Sequence, residues 1–469
     1  MKRIIISISI LLVTLSSVYS QAVHSVYFLN EWSQRHTLNA AFAPEYGYFS
    51  LPVLGGIDLS VNTNMGLNNF IFPYQNEFVT FMHPSVDAQT FINGLKPDNF
   101  MRQSLELNLL SFGFYTKQNS FWSFDITMKE NLNVNLPIDL FRFMKLGMAS
   151  PTSNNYDLKN LGIEQTNIAQ IALGYSRDIN SQFRIGVNAK MLVGLSTERI
   201  NYSKFDISLS QSKFEINAVG ESQIAAGFLS LPTDPNSYYD MTKPNINIAN
   251  IQPAGIGLAI DLGVTYKPIK NLTLAVGIND LGYMKWNASS ITRGLASSDV
   301  VFNGFSNVDV SNVNLQGQID TLVNGLTNIA KFKQAATVND ISESIPYNIK
   351  ASAEYSIFGN DKHDILVGVL FHSYNSKSYS VNELVAALTL KPLSWFTLSG
   401  TCSLLNQDFN RYGVALKISP RRINLYIASD FIAPKVNKQF IPIDHVNMNL
   451  IFGGSIVIGK PKIKDLSRN

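Results

Sequence analysis

Residues 184–195, RIGVNAKMLVGL, decide the fold. Ile185, Val187, Ala189, Met191, Val193 and Leu195 share one parity, and Arg184, Gly186, Asn188, Lys190 and Gly194 share the other. A period of two puts these sets on opposite faces of a β-strand, one apolar and one carrying charge. The strand is long enough to cross a hydrocarbon layer at a tilt. The same alternation recurs elsewhere. Trp122, Phe124, Ile126 and Met128 alternate with Ser123, Asp125, Thr127 and Lys129. Leu258, Ile260, Leu262, Val264 and Tyr266 alternate with Gly257, Ala259, Asp261, Gly263 and Thr265. Tyr347, Ile349, Ala351, Ala353 and Tyr355 do so with Asn348, Lys350, Ser352 and Glu354.

Working outward at this period gives sixteen candidate strands: 56–63, 104–116, 121–130, 167–178, 182–196, 198–210, 212–220, 254–267, 271–279, 345–357, 363–373, 380–390, 395–404, 409–418, 422–430 and 446–458. Dropping a weak pair leaves fourteen. One strand changes phase: Leu105, Leu107 and Leu109 share a parity, then Leu110, Phe112 and Phe114 take the other. A β-bulge near Leu109 restores the facing, because one extra residue shifts the register by one. The links sort by length. Short ones such as 117–120, 179–181 and 268–270 fall on one end, and long ones such as 64–103, 131–166 and 280–344 fall on the other. Transmembrane barrels have that asymmetry, with short periplasmic turns and long outer loops. The expected class is all-β: a closed antiparallel transmembrane β-barrel of 14–16 strands, with short helices in long extracellular loops.

The N-terminus fits that address. Lys2 and Arg3 precede an apolar run from Ile4 to Leu15, closed by Ser16, Ser17 and Ser20. This is the order of a secretory signal, too short to span a membrane as a helix. Cleavage is expected after Ser20, and Gln21 in place of a cysteine argues against a lipid anchor. The expected divisions are a signal peptide over 1–20, a lead-in or lumen plug over 21–55, the barrel over 56–459 and a basic tail over 460–469. The cell outer membrane is the expected location. The single Cys402 rules out an intramolecular disulfide. With a net charge of +3 and both signs interspersed, no nucleic-acid stripe is present and no nucleic-acid partner is expected.

In this topology the apolar parity faces lipid. Arg184, Asn188, Lys190, Asp261, Lys350 and Glu354 then line the lumen, as paired or solvated charge more readily than as a selectivity ring. Val187→Arg is expected to be costly and Asn188→Arg mild. Tyr175, Tyr202, Tyr266, Tyr347 and Tyr355 are placed near strand ends as interfacial aromatics.

Several stretches carry a family resemblance. Leu38-Asn39-Ala40-Ala41-Phe42-Ala43-Pro44 leads to Phe49-Ser50-Leu51-Pro52-Val53-Leu54-Gly55-Gly56-Ile57. Asn108-Leu109-Leu110-Ser111-Phe112-Gly113-Phe114, Leu136-Pro137-Ile138-Asp139-Leu140, Gly174-Tyr175-Ser176-Arg177 and Gly186-Val187-Asn188-Ala189-Lys190 follow in order. Together they resemble a domain-of-unknown-function family of Bacteroidota outer-membrane proteins, over nearly the whole mature chain. That family resembles, more distantly, the FadL-type barrels that import long-chain fatty acids and other hydrophobes, which have fourteen strands and an N-terminal plug. The resemblance implies an outer-membrane barrel and supplies no catalytic residues. The terminal aromatic usual in barrel-assembly signals is absent; Lys460, Lys462 and Lys464 stand there.

Two loop segments are unusually apolar. Ile138, Leu140, Phe141, Phe143, Met144, Leu146 and Met148 follow Pro137, a good first-turn residue. Ile319, Leu322, Val323, Leu326 and Ile329 recur at helical spacing in the longest loop. Such helices cap the mouth, capture a hydrophobic ligand (through Leu140, Phe141, Phe143, Met144, Leu322 and Leu326), or meet a partner protein. Residues 24–55 are read equally as a plug or a periplasmic lead-in. The six histidines lack metal-ligand spacing, and His372 has no nucleophile motif beside it. No enzyme activity, cofactor or metal is expected. Two functions remain in view: passive passage of small hydrophobic molecules through a gated lumen, or a structural barrel anchoring a protein complex. The expected partners are outer-membrane lipid, a hydrophobic small molecule and a protein met through the loops.

Overall fold

The computed structural model describes residues 24–461, apart from 51–54, 76, 117–119, 149–152, 241–242, 248–251, 303–330, 337, 360–362, 378, 406–407, 421 and 432–446. The expected leader (1–20), the basic tail beyond 461 and the helix carrying Leu322 and Leu326 lie outside the described residues.

Fourteen antiparallel strands close into a barrel. Strand β1 comprises Tyr46–Ser50 and Gly56–Thr63. It is followed by β2 (Asp98–Tyr115), β3 (Phe121–Pro137), β4 (Gly162–Asp178) and β5 (Phe183–Ser210). Strand β6 is Phe214–Ala226 and, end to end with it, Gly255–Ile269. Strand β7 is likewise Leu272–Trp286 and Ile291–Phe302. Then come β8 (Tyr347–Gly359), β9 (Asp364–Asn375), β10 (Ser380–Leu393) and β11 (Phe396–Leu405). The last three are β12 (Asp408–Ile418), β13 (Ile423–Ser429) and β14 (Asn447–Pro461). Each strand pairs with the next, and β14 returns to β1, so the sheet has no free edge.

The sequence count of sixteen falls to fourteen for a local reason. Residues 182–196 and 198–210 are one strand, β5. A bulge at Leu195 sets Asn167 against Ser196 and Ile168 against Gly194. That extra residue reverses parity, which in a linear reading looks like one strand ending and another beginning. The candidate strand 212–220 hairpins back and pairs down to Ala226 opposite Ser196, and Gly255 opposite Gly194 resumes the same line. Residues 227–254 are therefore an excursion from a single strand position. The expected bulge in β2 occurs at Leu109, where Asn108 faces Thr127 and Leu110 faces Ile126. The barrel also begins ten residues before position 56, because Tyr46–Ser50 already pairs with β14 and β2.

Facing follows the sequence pattern. Leu173, Ile185, Met191, Leu258, Leu262 and Val276 are exposed on the outer wall, whereas Lys190, Asp261, Lys350 and Glu354 are buried inside. Near the short-turn end the outer wall carries paired rings, Phe183 stacked on Tyr266 at 4.4 Å and Trp122 tilted against Tyr175 at 4.8 Å. Tyr202 departs from its expected place: a second bulge, beside Val219/Gly220, turns it inward, where it is buried.

Candidate functional site

The barrel interior is occupied by the chain's own N-terminal segment. Residues 24–45 enter through two tight 3-10 turns, Ser25–Phe28 and Arg35–Thr37, before the chain joins β1. A segment rich in side-chain donors and acceptors can satisfy its backbone inside a lumen without pairing as a strand. Arg35 bonds Glu354 at 3.0 Å and its own Tyr27 carbonyl at 3.1 Å, while its guanidinium lies 4.1 Å above the Phe42 ring. His36 reaches Asp125 at 2.9 Å, and Ser111 donates to the other oxygen of that carboxylate. Asn39 donates to the Val276 carbonyl at 3.1 Å, Lys350 to the Leu38 carbonyl at 3.4 Å, and Tyr27 meets Ser352 at 2.8 Å. At the short-turn end Glu31 pairs with Lys417 at 3.0 Å and with Lys391. Burial pushes the Glu31 carboxyl up, but Lys417 and Lys391 outweigh it and hold the group below its ordinary value.

The wall is shaped for this segment. Gly186, Gly263 and Gly277 lie side by side on β5, β6 and β7, with inward parity. A Cβ at Gly186 would sit 1.9 Å from the Ala40 carbonyl oxygen, and one at Gly263 2.0 Å from Asn39 Oδ1. Only residues without side chains let the segment's backbone approach the sheet this closely.

Beside Thr37 and Leu38 a charge network crosses the lumen, joining neighbours β5 and β6 and reaching from β3 and β5 to the non-adjacent β7. Lys190 on β5 contacts Asp261 at 2.7 Å and Asp280 at 2.6 Å; Asp280 also accepts from Lys129 on β3 at 3.2 Å. Asp280 occupies the left-handed region, at φ +62°, where β7 bulges against β6. Its amide donates to Asp261 at 2.8 Å, so the turn and the carboxylates brace each other. A cavity of about 230 Å³ opens there, lined by Trp32, Gln34, Asp58, Lys129, Asp280 and Tyr374 among others. Charged and polar residue types are mixed there with Val26, Trp32, Leu38, Ile168 and Leu192, and apolar atoms form the larger part of the exposed lining.

Of the six expected lumen residues, Asn188, Lys190 and Asp261 meet in this network, and Lys350 and Glu354 hold the N-terminal segment. Arg184 bonds Asp178 and Ser176 on β4 towards the short-turn end. The surroundings of Asn188 tell against Asn188→Arg being much milder than Val187→Arg. Asn188 is 4% exposed, donates to Asp261 at 2.9 Å and faces the His36 carbonyl, so the space a long side chain needs is filled.

At the long-loop end, α1 (Ala88–Asn93) and α2 (Ile138–Leu146) pack against each other. Helix α2 follows Pro137, carries Asp139 in its first turn and Lys145 in its last, and stops at Gly147 with φ +50°. That charge order suits the helix dipole. Phe141 is buried with Phe91, Phe70 and Met65, while Leu140 and Phe143 pack on a second cluster built on Tyr156, Tyr202, Ile207 and Phe332. Met144 is 43% exposed. Three of the four described capture candidates thus have protein partners.

Among the described residues, the lumen histidines bond groups other than serine: His24 bonds Glu383, His36 bonds Asp125, and His372 bonds Asn348. His83 touches Ser85 at 2.7 Å, but in an exposed turn two residues long.

His24, Arg35, His36, Asp125, Lys129 and Asp280 were not expected as site residues. The glycines of inward parity at 186, 263 and 277 are the sequence signal that something packs against that wall.

A model of a family of unknown function, DUF5723, matches residues 40–430. The chain belongs to DUF5723. This match spans the glycine row, the charge network and most of the barrel. Among solved structures, this DUF5723 chain is similar to the Ralstonia pickettii toluene transporter TbuX, at 8% identity and a TM-score of 0.42, over 89% of this chain and 91% of that one. It is similar to the Pseudomonas putida toluene transporter TodX, at 11% identity and a TM-score of 0.39, over 94% and 96%. A Pseudomonas aeruginosa FadL homologue aligns at 9% identity and a TM-score of 0.34, over 89% and 90%. No curated protein matches the chain.

Proposed function

We propose that this protein is an outer-membrane barrel that passes small hydrophobic molecules, with residues 24–45 as a displaceable plug. One observation carries the reading: the segment inside the lumen is held by side-chain bonds, ion pairs and apolar packing of its rings on the wall, not by strand pairing. Such bonds exchange individually with water, whereas a strand in the sheet would not leave without breaking the wall. The apolar clusters at the mouth supply a surface on which a hydrophobic solute first desolvates. No cofactor or energy source enters this passive mechanism. Inside the lumen the cavity offers both apolar surface and the charge network, so apolar surface is not confined to the loops.

Reconstituted protein should carry a fluorescent fatty acid into liposomes faster than protein-free controls, while arabinose-induced swelling stays at background. Arabinose flux without fatty-acid flux would reassign the barrel as a polar pore. Absence of both, in wild type and in variants with a loosened plug, would remove the transport reading.

An anchoring role for a protein complex is the second reading. The loop hairpin of Ile71–Tyr74 and Glu77–Thr80 favours it, because Phe78 is 79% exposed there beside exposed Tyr74 and Met82. A stoichiometric protein retained in mild detergent, and lost on Phe78→Ser, would support it.

A further inference from the structure

His24 stands at the head of the plug, and its ring meets two wall residues that face each other across adjacent strands. These are His372 on β9 and Glu383 on β10, which are directly paired in register. All three are buried, at 4%, 2% and 2% exposure, and one ligating atom from each lies within 4.8 Å of the others. His24 Nε2 is 3.0 Å from Glu383 Oε2, and the two imidazole centroids are 4.6 Å apart.

The surrounding bonds prepare these groups. His372 Nε2 is 2.8 Å from Asn348 Oδ1. An amide oxygen only accepts, so Nε2 carries the proton and Nδ1 keeps the lone pair a cation needs. That is the outer-shell bond by which metal-ligating histidines are oriented. Arg411 donates to Glu383 Oε2 at 3.2 Å and fixes the carboxylate from the other side. Asp430, which accepts the backbone amides of His24 and Ser25, adds a second negative charge beside that guanidinium. The near neighbours therefore set two carboxylates against the Arg411 guanidinium and the Lys350 ammonium, the latter opposite His372 in register on β8.

We propose that His24, His372 and Glu383 form a site for one divalent cation of the zinc class, which fastens the plug to the wall. Two imidazoles and one carboxylate suit Zn²⁺ with a fourth position for water, whereas Ca²⁺ and Mg²⁺ prefer oxygen-rich shells. Binding displaces the proton that His24 shares with Glu383 and replaces one hydrogen bond with bonds from plug and wall to a single ion. The site is invisible in sequence spacing because its members come from the plug and two strands, 348 and 11 residues apart by number. It stands apart from the transport reading, since metal uptake is measured without any flux.

The test uses full-length protein purified in detergent through a histidine-free tag, stripped with chelator and titrated with Co²⁺. One equivalent should bind with a visible ligand-field band typical of four-coordination, and Zn²⁺ should bleach it. His372→Ala and Glu383→Gln should abolish the band, and Asn348→Ala should weaken binding by about tenfold. His83→Ala with His363→Ala, both remote from the three ligands, should leave it unchanged. Heat-modifiable migration on gels verifies that each variant is folded; His372→Gln serves if the alanine variant is not. Absence of saturable Co²⁺ binding, or binding equally tight in a folded His372/Glu383 double variant, would overturn the site. So would loss of binding in the His83/His363 double variant.

Discussion

At the scale of single residues, the interior is set by close approaches that leave no slack. Gly263→Val would place a Cβ 2.0 Å from Asn39 Oδ1 and 2.5 Å from the Ala41 amide. Overpacking of this kind costs about 1–3 kcal/mol, and the cheapest relief is movement of the plug. The expected outcome is a folded barrel with raised solute flux in liposomes; unchanged flux would mean that the plug is fixed elsewhere. Glu31 makes a second, pH-dependent hold. Its carboxyl is shifted down by Lys417 and Lys391, so the contribution is complete above its unfolded value and fades as pH falls through the lowered folded one. Acidification into that range, or Glu31→Gln at neutral pH, should raise protease cleavage within 24–45, and the variant should lose further acid sensitivity there. The residues lining the wall were legible from parity: Lys190 and Asp261 had to face inward once Met191 and Leu262 faced out. Their partners were not, because Asp280 reaches Lys129 only through a bulge and a chord across the lumen.

Elements obeyed the sequence where period and turns agreed, and departed from it where a bulge intervened. Leu109 announced its bulge through two apolar triplets of opposite phase, Leu105/Leu107/Leu109 and Leu110/Phe112/Phe114. Leu195 did not, since apolar and polar residues continue on both sides, and one long strand read as two. Helix α2 was legible from Pro137 and its apolar content, but not its role, because the covering residues lie in distant loops. Removing its central ring tests that role. Phe141→Ala should cost about 3–5 kcal/mol locally and expose the 64–97 and 138–161 loops to protease. The heat-modifiable barrel band should stay unchanged. Collapse of the whole barrel instead would show that the mouth and wall fold as one unit.

For the whole molecule, the outer face is the testable surface. On the outer-membrane reading, Val187→Arg at mid-wall should destabilise the barrel in lipid by about 2–4 kcal/mol, measured by urea titration of gel mobility. An equal effect in a detergent-free aqueous preparation would contradict a lipid-facing wall. Cys402, on β11 between the buried Thr401 and Ser403, offers a native reporter. It should resist a water-soluble maleimide in proteoliposomes and react once the barrel is unfolded. The course of the N-terminal segment also bears on biogenesis. Ser25 finds Asp430 across 405 positions, and Ser33 finds Ser455 across 422. The earliest part of the chain to be synthesised therefore meets essential neighbours only when the latest part has arrived. On the outer-membrane reading, whatever shields residues near 24–45 until then governs whether the finished wall closes around its contents or beside them.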